Sequence, residues 1–239
     1  MDKIFSNIDK AKEQTTHNFQ NAQEMFDSEA RNLLFNIKDS KQTTIGKECS
    51  LMTGGTPDSK NETYYENGDI KWLVSGDVHK GIIYDCEGRI TNAGLNNSNA
   101  KFLPINSVLI ALNGQGKTRG TVALLKTKAT CNQSIVSIKP NDEKKLLAEY
   151  LYCNLKARYM EIRKMTGDSG NDRRGLNMPL IRSIIINVPN KIHEQQKIVK
   201  ALYSLQEKTK KLEQIYTQKL ADLDELKQSV LKRAFSGKL

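Results

Sequence analysis

Residues 192–235 read IHEQQKIVKALYSLQEKTKKLEQIYTQKLADLDELKQSVLKRAF, without a proline or a glycine. Ile198, Leu202, Leu205, Thr209, Leu212 and Tyr216 step by four and three, and Leu220, Leu223 and Val230 carry the stripe on, with lysine and glutamate between. The pattern predicts one long amphipathic helix with a heptad-like apolar seam. At 1.5 Å per residue it would be about 65 Å long, longer than a small domain is wide. A helix with one narrow stripe cannot bury it alone, so a partner helix is required.

The other end of the chain offers one. Residues 2–38 also lack proline and glycine. Ile4, Ile8, Ala11, Thr15, Phe19, Ala22, Phe26, Ala30, Leu33 and Ile37 form a stripe with an 11-residue repeat. That is about 3.67 residues per turn, the pattern of a nearly straight helix about 55 Å long. Two such helices can pair antiparallel within one chain, or two chains can exchange them.

Between them the helical period stops. Turn signals follow at Gly54-Gly55-Thr56-Pro57, Asn67-Gly68, Gly76, Gly81 and Gly88. Short β-prone runs at 70–75 (IKWLVS), 81–84 (GIIY), 107–112 (SVLIAL), 121–125 (TVALL), 134–139 (SIVSIK) and 183–188 (SIIINV) read as strands. Asn141-Asp142 is placed to cap a helix over about 143–165, with Leu146, Leu147, Tyr150, Leu151, Leu155, Tyr159 and Ile162 on its buried side. The division expected is a helix over 1–40, a β-rich domain over 41–190 and a second helix over 191–239. The fold class is α+β.

The charge is uneven. The formal net charge is +10; residues 1–40 contribute −2, residues 41–190 contribute +7 and residues 191–239 contribute +5. A polyanion is the natural partner of such a field, although a basic soluble protein needs none. No run of 18 apolar residues exists, so no membrane span is expected. Met1-Asp-Lys leads into a charged segment rather than a signal peptide, and Cys49, Cys86, Cys131 and Cys153 are scattered. Together these point to reduced thiols, no zinc site and a cytoplasmic location.

Two loops stand out, NGQGKTRG at 113–120 and TGDSGNDRRGLN at 166–177. Both are glycine-rich, polar and basic. Glycine lets backbone approach a phosphate closely, and lysine or arginine neutralises the phosphate or reaches a base edge. Lys117, Arg119, Arg173 and Arg174 are the side chains singled out; an ordinary surface loop is the plainer alternative.

The first loop also fits a relaxed P-loop pattern through Gly116-Lys117-Thr118, with Ala111 where a first glycine belongs. A P-loop needs a helix to start at that lysine. Here Gly120 and the following VALL run predict a turn into another strand, so a hairpin is preferred. Other chemistry is missing. His17, His79 and His193 are far apart, no serine sits in a G-x-S-x-G turn, and Asp168 and Asp172 share a glycine-rich loop that cannot fix paired carboxylates. Trp72, the only tryptophan, lies in a strand run and reads as core rather than as a base-stacking platform. The chain reads as a binding module.

Several motifs then fall into a known order. They are Gly54-Gly55-Thr56-Pro57; Asn67-Gly68-Asp69-Ile70-Lys71-Trp72; Cys131-Asn132-Gln133-Ser134; Gly175-Leu176-Asn177; Val188-Pro189; Glu194-Gln195-Gln196-Lys197-Ile198-Val199; and the closing run from Leu226 to Leu239. In this order and spacing, over about residues 41–239, the chain resembles the specificity subunit of type I restriction-modification systems.

The resemblance implies a target recognition domain that reads half of a split sequence in double-stranded DNA. It implies a non-catalytic subunit that docks a modification (methyltransferase) subunit and a restriction (motor-nuclease) subunit. No cofactor is expected on this chain; S-adenosylmethionine, ATP and magnesium are expected on the partner subunits. The usual subunit has two recognition domains, so this chain looks like a half-size form. A homodimer would supply the second half, with the two long helices in an antiparallel bundle across it and a palindromic site to match. Lys71, Lys80 and Arg182 join the loop residues as expected phosphate contacts, and Asn132 and Gln133 as residues able to contact adenine. A P-loop nucleotide-binding protein and a coiled-coil adaptor are the competing readings.

Overall fold

The computed structural model describes residues 2–114, 116–167 and 175–236. These form two compact units, one made of described residues within 2–33 and 200–236, the other of described residues within 34–199.

The first unit is a pair of helices, most of α1 (Asp2–Phe35) and most of α7 (Ile192–Phe235). They run antiparallel. Asp9 pairs with Lys227 at 2.7 Å, Lys12 with Asp224 at 2.5 Å and Gln23 with Glu213 at 3.1 Å, so one number rises as the other falls. The partner each stripe needs is therefore the other helix of the same chain. On α1 the buried positions Ile8, Thr15 and Ala22 recur every seven residues and Ala30 follows after eight, whereas the whole stripe repeats every 11. Only a narrow line of residues meets a single neighbouring helix, while the stripe's edges stay half-exposed. Thr15 enters this line because its hydroxyl is satisfied by the Ala11 carbonyl at 2.7 Å.

The second unit is β-rich. A pair of strands, β1 (Ser40–Thr44) and β10 (Ile185–Pro189), closes it, with Ser40 opposite Pro189. Chain entry and exit therefore lie side by side. A five-stranded sheet has the order β2 (Cys49–Thr53), β9 (Ile135–Pro140), β6 (Val108–Ala111), β7 (Val122–Leu125), β4 (Ile82–Ile83). All pairs are antiparallel except β4 with β7. A small sheet places β3 (Ile70–Leu73) between β5 (Arg89–Ile90) and β8 (Thr130–Cys131).

The strands at 108–111 and 122–125 are buried on every residue. Leu109, Ala111, Ala123, Leu125 and Ile135 join a core with Leu73, Val78, Ile83 and Cys131. The alternate residues face the other way, where α4 (Ala148–Ala157) packs on β6 and β7. Burial on both faces explains the unbroken apolar runs in the sequence.

The helix expected over 143–165 is shorter and broken. Asp142 does cap a turn, accepting from the Lys144 N–H at 2.9 Å. The helix itself starts at Ala148, because Gln195 takes the Leu147 N–H at 2.9 Å and the Lys145 carbonyl at 2.7 Å. A second piece, α5 (Tyr159–Lys164), follows after Arg158. Three short helices, α2 (Ile45–Glu48), α3 (Asn92–Asn96) and α6 (Met178–Ser183), complete the unit. Among the described residues, no helix is long and apolar enough to cross a membrane.

Candidate nucleic-acid interface

Strand directions decide which loops meet. β2 and β6 end at one edge of the five-stranded sheet, and β4, β7 and β9 begin there. Four connections therefore share that edge: residues 54–57, 74–81, 112–121 and 132–134. Backbone hydrogen bonds tie them together. The Gly55 N–H donates to the Cys131 carbonyl at 2.9 Å, Asn132 to Leu73 at 2.9 Å and Leu112 to Ser134 at 2.8 Å. Leu176 donates to Leu112 at 2.9 Å, which brings residues 175–177 to the same place.

The Gly-Gly-Thr-Pro run and the Cys-Asn-Gln-Ser run are one packed unit. A Cβ on Gly54 would lie 1.8 Å from the Cys131 carbonyl oxygen, so only glycine fits. Gln133 Oε1 accepts from the Thr56 hydroxyl at 2.6 Å, and Asn132 Oδ1 accepts from the Ser134 N–H at 3.0 Å. Both amides, expected as adenine contacts, thus already serve the fold. Trp72 is half-buried; its indole N–H donates to the Gly55 carbonyl at 3.0 Å, and Tyr65 meets it edge-on at 6.0 Å. Burial pushes the Cys131 thiol up to about 12.

The loop at 112–121 is a hairpin connection. Gly120 donates to Ala111 at 3.0 Å and Ala111 to Thr121 at 3.1 Å, and no helix follows Lys117. Gly120 sits at φ +82°, a conformation no helix start contains. The lysine therefore has no helix N-terminus beside it to hold a nucleotide phosphate. Residues remote in sequence pin this loop instead. Arg163 of α5 donates to the Gly116 carbonyl at 2.6 Å and the Arg119 carbonyl at 3.3 Å, Tyr159 donates to the Lys117 carbonyl at 2.9 Å, and the His79 ring meets the Thr118 hydroxyl at 3.0 Å. Sequence reading missed Arg163 and His79 in this role, since neither has a local signal.

The expected contacts divide. Lys117 is exposed on the pinned loop. Arg119 is in the same loop but only 7% exposed. Lys80 closes the 75–80 turn, where it binds Asp77 at 2.8 Å and the Asp85 carbonyl at 3.1 Å; the bond to Asp77 raises its pKa. Lys71 lies away from this edge. It donates to Thr127, beyond the far end of β7, and to the Tyr84 carbonyl, both at 2.8 Å, with Asp85 at 3.5 Å. Arg182 is exposed on α6 against Gly46, which precedes β2 at the opposite end of the sheet. Arg173 and Arg174 lie outside the described residues.

The edge thus offers lysine ammonium groups, amides and backbone donors on a rigid strand frame. Residues 37–220 match the family described as type I restriction modification DNA specificity domain. The chain belongs to this family. The matched residues take in nearly all of the β-rich unit and more than half of α7.

The chain is 29% identical over 171 residues to the type I restriction enzyme EcoR124I/EcoR124II specificity subunit of Escherichia coli, covering 71% of this chain and 42% of that protein. Among solved structures, a chain from work on complex assembly and conformational transition of the type I R-M system superposes with a TM-score of 0.80 at 17% identity. That match covers 100% of this chain and 57% of the other. The HsdS subunit from Thermoanaerobacter tengcongensis matches with a TM-score of 0.67 at 16% identity, covering 100% and 56%. At such identities the solved structures speak for the fold alone. The chain spans less than half the length of the curated relative and a little over half of the solved chains.

Proposed function

We propose that the chain is a half-size DNA-recognition subunit of a type I restriction-modification complex. The observation that carries this reading is the shared sheet edge, which gathers Lys80, Lys117, Asn132 and Gln133 from separate parts of the chain, in a member of the specificity family. Lys117 is the foremost phosphate contact. Lys71 and Arg182, at other places on the domain, serve the backbone of flanking DNA. The chain does no chemistry itself. It docks a modification subunit and a restriction subunit, and these bring S-adenosylmethionine, ATP and magnesium.

A second copy supplies the second recognition domain. Leu212, Ile215 and Leu226 are exposed on one flank of α7, beside the seam that α1 occupies, and Ile215 is 59% exposed. Their spacing keeps them on one side of a 3.6-residue helix. A two-fold dimer through this flank would read an inverted, split site.

Fluorescence anisotropy of duplex DNA against the purified chain, over a range of salt, tests the DNA reading. Affinity should fall steeply with salt, and Lys117→Ala should weaken binding to all sequences and flatten the log–log slope by about one. A chain that binds no duplex at low salt overturns it. Light scattering tests the dimer. A mass near twice 27.0 kDa is expected, with the Ile215→Lys, Leu226→Lys double variant at the single mass; a wild-type chain that stays monomeric with its modification subunit and DNA removes the dimer.

A further inference from the structure

A cavity of about 370 Å³ lies beside the pinned loop, between the 75–80 turn, β7 and the helices α4 and α5. Its lining includes His79, Gly81, Lys117, Tyr152, Lys156 and Tyr159. It contains no aspartate or glutamate. The cavity is built rather than accidental. The bonds from Tyr159 and Arg163 hold the loop on one side, and the His79–Thr118 contact holds it on the other.

A tyrosine hydroxyl faces it. Tyr152 is 5% exposed as a residue, and its hydroxyl reaches to 3.3 Å from where a Cβ on Gly81, another lining residue, would stand. Burial holds the Tyr152 pKa up to about 12, so at neutral pH the group is a donor. The Lys156 ammonium sits 5.8 Å from the centre of the same ring, and Lys117 also lines the cavity. Two ammonium groups and a phenol O–H therefore line one pocket. Val78, Val122 and the two tyrosine rings give the wall an apolar part.

We infer that this cavity binds a phosphate ester, with Tyr152, Lys156 and Lys117 on the phosphate oxygens and the apolar wall against the body of the ligand. A monoanion or dianion matches a lining that has donors and positive charge and no carboxylate. The phosphate can come from a strand of DNA lying on the neighbouring loops or from a free nucleotide. The first source rests on the DNA-recognition reading; the second does not.

The test is calorimetric titration of the full chain with 5′-AMP, alongside anisotropy with duplex DNA, for wild type, Tyr152→Phe and Lys156→Gln. Thermal melting of each variant checks that the fold is kept. If the source is a free nucleotide, AMP binds the wild type and each variant weakens it about tenfold, the effect of one charge-assisted hydrogen bond, with DNA binding unchanged. If the source is DNA, AMP gives no heat, while Lys156→Gln lowers the salt slope for duplex by about one and Tyr152→Phe lowers affinity severalfold. Folded variants that bind both ligands as the wild type does overturn the inference, and the DNA reading survives. A chain that binds AMP through these residues but no duplex does the reverse.

Discussion

Replacing Gln195 with leucine is expected to destabilise the β-rich unit by about 3 kcal/mol. The amide is fully buried and satisfies three backbone groups. Its oxygen accepts from the Leu147 N–H at 2.9 Å, and its nitrogen donates to the carbonyls of Lys145 at 2.7 Å and Pro189 at 3.3 Å. The two short bonds are each worth about 1 kcal/mol net, and the long third less. Leucine has nearly the same volume but leaves these groups, part-buried at Leu147 and Lys145 and buried at Pro189, without the amide. An orphaned buried backbone group costs about 1–3 kcal/mol. Burying leucine's extra apolar surface returns about 1 kcal/mol. The net of about 3 kcal/mol corresponds to roughly a hundredfold shift in the folding equilibrium. For a unit of this size the melting temperature should fall by about 6–12 °C.

Urea unfolding of the full chain, followed by Trp72 fluorescence, measures the difference, because that tryptophan lies in the same unit. Glu194→Ala, at the exposed neighbouring position, should stay within about 0.5 kcal/mol and serves as control. A loss below about 1 kcal/mol for Gln195→Leu would refute the claim that this side chain sets where α4 begins and ties it to the start of α7.

Three further outcomes follow from the packing. Gly54→Ala should cost about 2 kcal/mol or more by urea unfolding, since its Cβ would meet the Cys131 carbonyl oxygen at 1.8 Å; a neutral substitution would mean the two motifs are not packed together. Cys49, Cys131 and Cys153, each pushed up to about 12 by burial, should resist iodoacetamide at pH 8 in the native chain and react fully in urea, as read by mass spectrometry; rapid native labelling would contradict their burial. Burial works to raise the Glu149 pKa, but the hydrogen bond and charge of Lys126 at 2.6 Å outweigh it, and the net shift is downward. A carboxyl with a lowered folded pKa stabilises above its unfolded value, about 4.5, and loses that contribution as pH falls through the folded value. Lys126→Met should therefore cost stability at pH 7 and almost none at pH 3; an equal cost at both would show that the ion pair is not its source.

The long helices were legible because a seven- or four-three step of apolar residues is a local signal. The strands of residues 108–111 and 122–125 were legible because both faces are buried and the sequence is apolar throughout, and that of residues 135–140 because its β-branched run is broken only by Ser137 and Lys139. β1 and β2 left no such mark. SKQTT is polar throughout and CSLMT is short and mixed, and each strand exists through a partner that lies far along the chain, Ser40 with Pro189 and Cys49 with Pro140. The start of α4 was misread for a related reason. Its capping signal at Asp142 is real, but Gln195, 48 residues beyond Leu147, captures the next backbone groups.

The candidate site divides in the same way. By itself the sequence determined the class of side chains available and the two loops rich in glycine and basic residues. It also carried the motifs by which the family is recognised. Residue types and their spacing are enough for that, since propensity, periodicity and charge are local properties. Only the tertiary structure decided which of those residues meet. Strand order brought residues 54–57, 112–121 and 132–134 to one edge and left Lys71 and Arg182 elsewhere. It engaged the Asn132 and Gln133 side chains in holding the loops and set Tyr152 and Lys156 around a cavity with Lys117. Such meetings depend on register and on hydrogen bonds between residues tens of positions apart, and no local pattern encodes them.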